Sequence, residues 1–313
     1  MQKNLTHNRS QAAIETHLSA PSPAKIAPNS PPVLGFSLLT LAEPVARAVT
    51  LIADAELMPR FQRVVVERKN DGTVVTEADR AVEAALVAVL PTIFNCPVLG
   101  EEMPALTQQR LWHEADWLWC VDPLDGTSNF TTGKKYFGMS VALMYQRRSH
   151  FGLVFDPNLG DVFFAALGCG AYENHRRLTV QPSVPLHAAH CEIGRYKQLK
   201  QIGNLHAALR QHAPYRKSTQ SGASVLQWCH MAAGRTDIFI HAGERPWDYA
   251  AGALILEESG GAIATITNDN YWQTDNAEAM WDHSVIAARH PVLFDEWKRW
   301  VRSNVALKCA YDT

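Results

Sequence analysis

The stretch Trp117-Leu-Trp-Cys-Val-Asp122-Pro123-Leu124-Asp125-Gly126-Thr127-Ser128-Asn129-Phe130 most constrains what this chain can become. Trp117 to Val121 has the apolar continuity of a buried strand, and it ends in two acids, a proline, a glycine and a threonine. Asp122 and Asp125 stand on a turn stiffened by Pro123, so their side chains can face one another only across something cationic. Oxygen ligands without a neighbouring Cys or His pair favour Mg²⁺ over zinc. Gly126-Thr127 then opens a segment whose first backbone N–H groups lack partners, which suits a phosphate. The same residues also read as ordinary turn and N-cap residues at a strand-to-helix junction, and the motif alone leaves both readings open.

Other acids stand at comparable boundaries. Thr76-Glu-Ala-Asp79 fits a capping box before an apolar stripe of Val82, Ala85, Leu86 and Val89, with Pro91 as the expected stop. Asp79 therefore reads as a cap, a ligand, or both. Cys96-Pro-Val-Leu-Gly100 is a short apolar run ending in Glu101 and Glu102, and active sites of layered α/β proteins gather where strands end. Asp248 falls in the first turn of an apolar helix expected over 247–259 and closed by Gly260-Gly261, where the helix dipole alone favours an acid. Ser221-Gly222-Ala223-Ser224 is expected to start another helix at Ser221 or Gly222 with its free N–H groups toward a cleft.

The 313 residues allow about two domains or subdomains, and 47% hydrophobic residues suffice for a large core. A net charge of −2 without a long basic block argues against nucleic acid or membrane as the main partner. Six dispersed cysteines without C-x-x-C point to a reducing cytoplasm rather than a disulfide scaffold. Residues 1–33, polar and proline-bearing, are expected to be a flexible tail, and no apolar run is long enough to span a membrane. A long amphipathic helix is expected from Phe36 to Met58, and Lys69-Asn-Asp71-Gly72 is expected to turn. Strands are expected at 138–144, 152–155, 161–165 and 237–241, with a hairpin turn at 156–160. Gly168-Cys-Gly170 is taken as structural, and His187 with His190 as a solvated pair.

Asp122-Pro-Leu-Asp125-Gly-Thr-Ser-Asn-Phe130, Val75-Thr-Glu-Ala-Asp79, Gly100-Glu-Glu102 and Trp247-Asp-Tyr-Ala-Ala-Gly252, in that family's order along residues 36–290, resemble the inositol monophosphatase family of Mg²⁺-dependent, lithium-sensitive phosphatases. The resemblance implies an α/β fold, an alternating αβαβα sandwich, with residues 34–176 carrying most ligands and 177–313 completing the cleft. It implies a homodimer and two Mg²⁺ ions, with a third at a weaker position. Glu101, Asp122 and the Leu124 carbonyl would hold the first metal; Asp122, Asp125 and Asp248 the second; Asp79 belongs to the third. Glu101 and Thr127 would orient the attacking water, with Glu102 in support. Gly126 and Thr127 would receive phosphate oxygens, and Asp125, Gly222, Ala223, Ser224 and His241 would face the substrate.

The implied activity is hydrolysis of a small-molecule phosphate monoester. Inositol-phosphate enzymes of the family usually carry Glu six residues before the Trp of the Trp-Asp motif, where this chain has His241. Histidinol phosphate, 3′-phosphoadenosine nucleotides and fructose 1,6-bisphosphate are the alternative substrates, and a catalytically silent binding protein is the alternative class.

Overall fold

The computed structural model describes residues 34–64, 66–68, 74–272, 281 and 283–305. The expected tail over 1–33 and the turn over 69–73 lie outside the described residues. Seven strands form one sheet in the order β3 (Val98–Gly100), β4 (Trp117–Asp125), β5 (Gly138–Tyr145), β6 (Arg148–Asp156), β7 (Asp161–Ala166), β8 (Gly170–Glu173) and β9 (Arg176–Leu178). Only the β3–β4 pair is parallel. A second sheet orders β11 (Lys217–Thr219), β10 (His190–Gly194), β12 (Ile238–Glu244), β14 (His283–Ala288) and β13 (Ala262–Thr265). A short hairpin, β1 (Val66–Arg68) with β2 (Val74–Thr76), precedes both.

Strand alternation sorts the core into layers. Trp119, Val121, Met139, Val141, Leu143, Phe151 and Leu153 join one cluster with α1 (Ala42–Ile52) and α2 (Glu77–Ile93). Leu118, Cys120, Ala142, Met144 and Val154, one residue out of phase, face α6 (Ser224–Ala232) and α7 (Pro246–Glu258), which also meet Phe239, Val285 and Ala287 of the smaller sheet. The far side of that sheet is closed by α5 (Leu205–Gln211) and α8 (Pro291–Val305) through Leu209, Trp297 and Val301. The result is the αβαβα sandwich that the family resemblance implies.

Position explains sequence here. Helix α8 covers one sheet and shows a one-sided apolar stripe, whereas α7 lies between two sheets and is buried at every residue from Pro246 to Leu256. Its packing is close on both the sheet and the helix beside it: a Cβ at Gly152 of β6 would stand 2.8 Å from the Ala251 Cα, and one at Gly252 would stand 2.4 Å from the Trp228 Cβ of α6. The Ser149 hydroxyl donates to the Ala250 carbonyl at 2.7 Å.

Two helical expectations are corrected. Pro91 does not stop α2, which runs to Ile93, because a proline in the last turn removes a single N–H and the Phe94 N–H still closes on the Leu90 carbonyl at 3.1 Å. The helix expected over 36–58 is broken into a 3₁₀ turn (Leu38–Leu41), α1, a π turn (Ala53–Leu57) and a second 3₁₀ turn (Met58–Arg60). The widened turn keeps Ala53 and Leu57 buried in line with Leu41, Val45 and Val49.

Candidate active site

Strand β4 does not end at Asp122; it continues to Asp125 through a bulge, because Pro123 has no N–H for the ladder to β5. Asp122 is buried, and its Oδ1 accepts the Leu124 N–H at 2.9 Å. Gly126 follows in the left-handed region at φ 89°, and a Cβ there would lie 3.0 Å from the Tyr136 carbonyl and 3.1 Å from the Ala223 Cβ. That turn starts α4 (Thr127–Thr132), so the sequence pattern of strand, tight turn and helix is what the structure builds.

Asp125 is half-buried and reaches across to the second half of the chain. Its carboxylate accepts the Val225 N–H at 2.8 Å and the Ser224 hydroxyl at 3.4 Å. Helix α6 therefore begins at Ser224, later than expected, and Asp125 takes the first-turn N–H that the sequence left for a ligand. Gly222, at φ 88°, lies against the Asn129 side chain, and Ala223 is the residue before the helix.

Asp79 serves as a cap and as a reach into the site. Its Oδ2 accepts the Thr76 N–H at 2.8 Å and the Thr76 hydroxyl at 2.5 Å, while Oδ1 lies 3.2 Å from the Thr127 hydroxyl. The single Thr127 hydrogen is shared between Asp79 and the Leu124 carbonyl, 3.1 Å away. Asp248 stands in the first turn of α7, as expected, and its Oδ2 accepts the Arg245 N–H at 2.9 Å. Glu101 follows β3, where Gln108 Nε2 donates to the Gly100 and Glu101 carbonyls at 2.8 and 2.9 Å.

These acids repel one another. Burial, then the charges of Glu101, Asp125 and Asp248, push the Asp122 carboxyl well above its ordinary range. Burial and Asp248 raise Asp125, and burial raises Asp248 against the pull of Arg195. Among the described residues no three ligating side chains converge on a single point; the carboxylates of Asp79, Asp122, Asp125 and Asp248 are each turned to a backbone N–H. Four mutually repelling acids with only oxygen donors still fit a hard divalent cation, which would relieve their shared charge.

His241 is buried and lines a cavity of about 520 Å³ that Asp125 and Asp248 also line. Burial and Arg195 hold the imidazole neutral, with its pKa pulled down to about 3. A Cβ at Gly194 would overlap the His241 ring, so the glycine makes room for it.

Sequence reasoning missed three supports. Glu83, one turn after Asp79, accepts the Glu102 N–H at 2.8 Å and fixes the Gly100–Glu102 turn. Glu192, buried in β10, accepts from the Ser221 hydroxyl at 2.9 Å, from Gln227 Nε2 at 3.0 Å and from Thr219. Glu244, buried in β12, accepts the Trp228 indole at 3.1 Å. A lone acid inside a short strand is the signal that could have found the last two. His187 and His190 stay outside the cluster; His190 Nε2 lies 2.8 Å from the Thr219 hydroxyl.

Fold and site together define a five-layered α/β protein with an acid cluster where β3 and β4 end beside the start of α7. The inositol monophosphatase family model matches residues 37–301, and the chain belongs to that family. It is 36% identical to the Nus factor SuhB of Pseudomonas aeruginosa over 216 residues, 67% of this chain and 79% of that protein. It is 31% identical to the Nus factor SuhB of Escherichia coli over 250 residues, 77% and 90% of the two chains. The Thermotoga maritima IMPase TM1415 structure superposes with a TM-score of 0.72 at 25% identity, covering 86% of this chain and 99% of that one. Among the described residues no helix is long and apolar enough to cross a membrane.

Proposed function

We propose that the protein hydrolyses a small-molecule phosphate monoester with Mg²⁺. The observation that carries this reading is the cluster of Glu101, Asp122, Asp125 and Asp248, in which burial first and the neighbouring acids second raise the pKa of the three aspartates despite the pull of Arg195 and Arg245 on Asp248. Glu101, Asp122 and the Leu124 carbonyl would hold one Mg²⁺, Asp122, Asp125 and Asp248 a second, and Asp79 a weaker third. Bound there, Mg²⁺ would neutralise the phosphate dianion and lower the pKa of water.

The chain's own groups do the rest. Thr127 Oγ1 accepts a proton from the attacking water and passes its own to Asp79 Oδ1, along the contact seen at 3.2 Å. The water oxygen bonds to phosphorus as the ester P–O bond breaks, and the departing alkoxide takes a proton from solvent. The Gly126 and Thr127 N–H groups, at the left-handed turn that opens α4, receive phosphate oxygens. Inositol phosphate, histidinol phosphate, 3′-phosphoadenosine nucleotides and fructose 1,6-bisphosphate are the substrates to compare.

The reading extends to inhibition by Li⁺, to a homodimer and to a cytoplasmic setting. Relatives named as Nus factors favour a second reading, a binding protein that keeps the site without using it. Release of inorganic phosphate from a monoester panel, with Mg²⁺ and with chelator, separates the two. Mg²⁺-dependent release supports the hydrolase, and release from none of the panel supports the binding protein.

A further inference from the structure

The cavity beside the acids takes its cations from one segment. Directly after β10, Arg195 adopts φ 44°, a left-handed conformation that costs a residue with a side chain roughly 1 kcal/mol. Arg195 and Lys197 both line the cavity and are exposed. Among the described residues neither guanidinium nor ammonium is engaged in an ion pair. His241, 5% exposed, lines the same space with its Nδ1 buried and unpartnered.

The lining is equally informative in what it offers a polyol. Its carboxylates, among the described residues, are Asp125 and Asp248, and both are metal ligands in the proposed phosphatase. A neutral sugar or cyclitol could bond to Gln198, Gln220 and Gln227, which line the same space, but would leave the two cations without a counter-charge. An anion would meet complementary charge from Arg195 and Lys197.

We propose that Arg195 and Lys197, beside the neutral His241, form a subsite for a second anionic group, so that the preferred substrates are phosphate monoesters carrying another phosphate or a carboxylate. This rests on the phosphatase reading and deepens it. Because the second anion lies away from the reacting phosphorus, its contacts act mainly on KM.

The test pairs substrates that differ in the second group. Fructose 1-phosphate is compared with fructose 1,6-bisphosphate, and glycerol 2-phosphate with 2-phosphoglycerate, by phosphate release and by calorimetric binding in the presence of Mg²⁺. The member with the second anionic group is expected to have about tenfold higher kcat/KM, mostly through KM, and about tenfold tighter binding. The first pair reports a second phosphate and the second a carboxylate; preference in either supports the subsite and names the group. Arg195→Gln combined with Lys197→Gln is expected to bring the preferred pair to within about threefold, while a charge-preserving Arg195→Lys retains most of the preference. Hydrolysis of both pairs without preference overturns the subsite and leaves the phosphatase intact. Preferential, Arg195-dependent binding without hydrolysis supports the subsite and overturns the phosphatase. Neither hydrolysis nor preferential binding overturns both.

Discussion

The two sides of the cleft are built on different physical terms. On the β4 side, Asp122 is buried, Asp79 is buried, and each carboxylate is held by backbone N–H groups or a neighbouring hydroxyl. On the β10 side, Arg195, Lys197, Gln198 and Gln220 are exposed, and what holds them is the path of the backbone. Groups that must share a charge need fixed positions, so their supports are buried. Groups that read the variable part of a substrate can change without disturbing a core, which lets one phosphatase scaffold serve different substrates.

The sharpest way to break this contrast is at Asp122. Asp122→Asn keeps the shape and removes the central charge, and Mg²⁺-dependent phosphate release should fall by more than about a hundredfold. Activity above a tenth of wild type at saturating Mg²⁺ would remove Asp122 from the site.

Next in size is Gly152→Ala. The added methyl would press on the Ala251 backbone, and because α7 is packed on both faces it has nowhere to retreat. A loss of about 2 kcal/mol in urea unfolding is expected. Lys197→Ala, on the other side, should stay within about 0.5 kcal/mol, and equal losses at the two positions would erase the contrast.

Thr127→Ala should lower kcat about tenfold while leaving the Mg²⁺ dependence in place, since only the proton path to Asp79 is cut. A large shift in Mg²⁺ affinity instead would make Thr127 part of the ligand cage.

The smallest effect expected is on stability against pH. Asp125 and Asp248 have folded pKa values raised to about 7 and about 6, above their ordinary 3.8. A raised folded pKa contributes stability that is present below the unfolded value and is lost as pH climbs through the folded one. Chelated protein should therefore lose melting temperature between about pH 4 and 7, and Mg²⁺ should restore more of it at pH 8 than at pH 5, by about 3 °C or more. A Mg²⁺ effect that does not vary with pH would separate these two acids from the metal.

Much of the β4 side is legible in the sequence, because its chemistry is written in contiguous residues. The turn at Gly126, the cap formed by Thr76 and Asp79, and the place of Asp248 in the first turn of α7 all follow from local backbone geometry. The π turn after α1 and the continuation of α2 through Pro91 are not legible there, since burial of Leu57 and Leu90 decides them against local preference.

The sequence by itself determined the acids and the local elements that carry them: each carboxylate stands in a short motif at a strand end or helix start, and the layer order came from the family those motifs resemble. Tertiary structure alone decided that Asp125 would tie down α6 a hundred residues on, and that Glu83 and Glu192 would brace the two walls. It also placed Arg195 and His241 in the cavity that Asp125 and Asp248 line. The physical reason is range. A cap or tight turn is settled by the few residues that make it, whereas a buried acid can be tolerated only where distant donors arrive to meet it, and nothing near it in the chain records which donors those are.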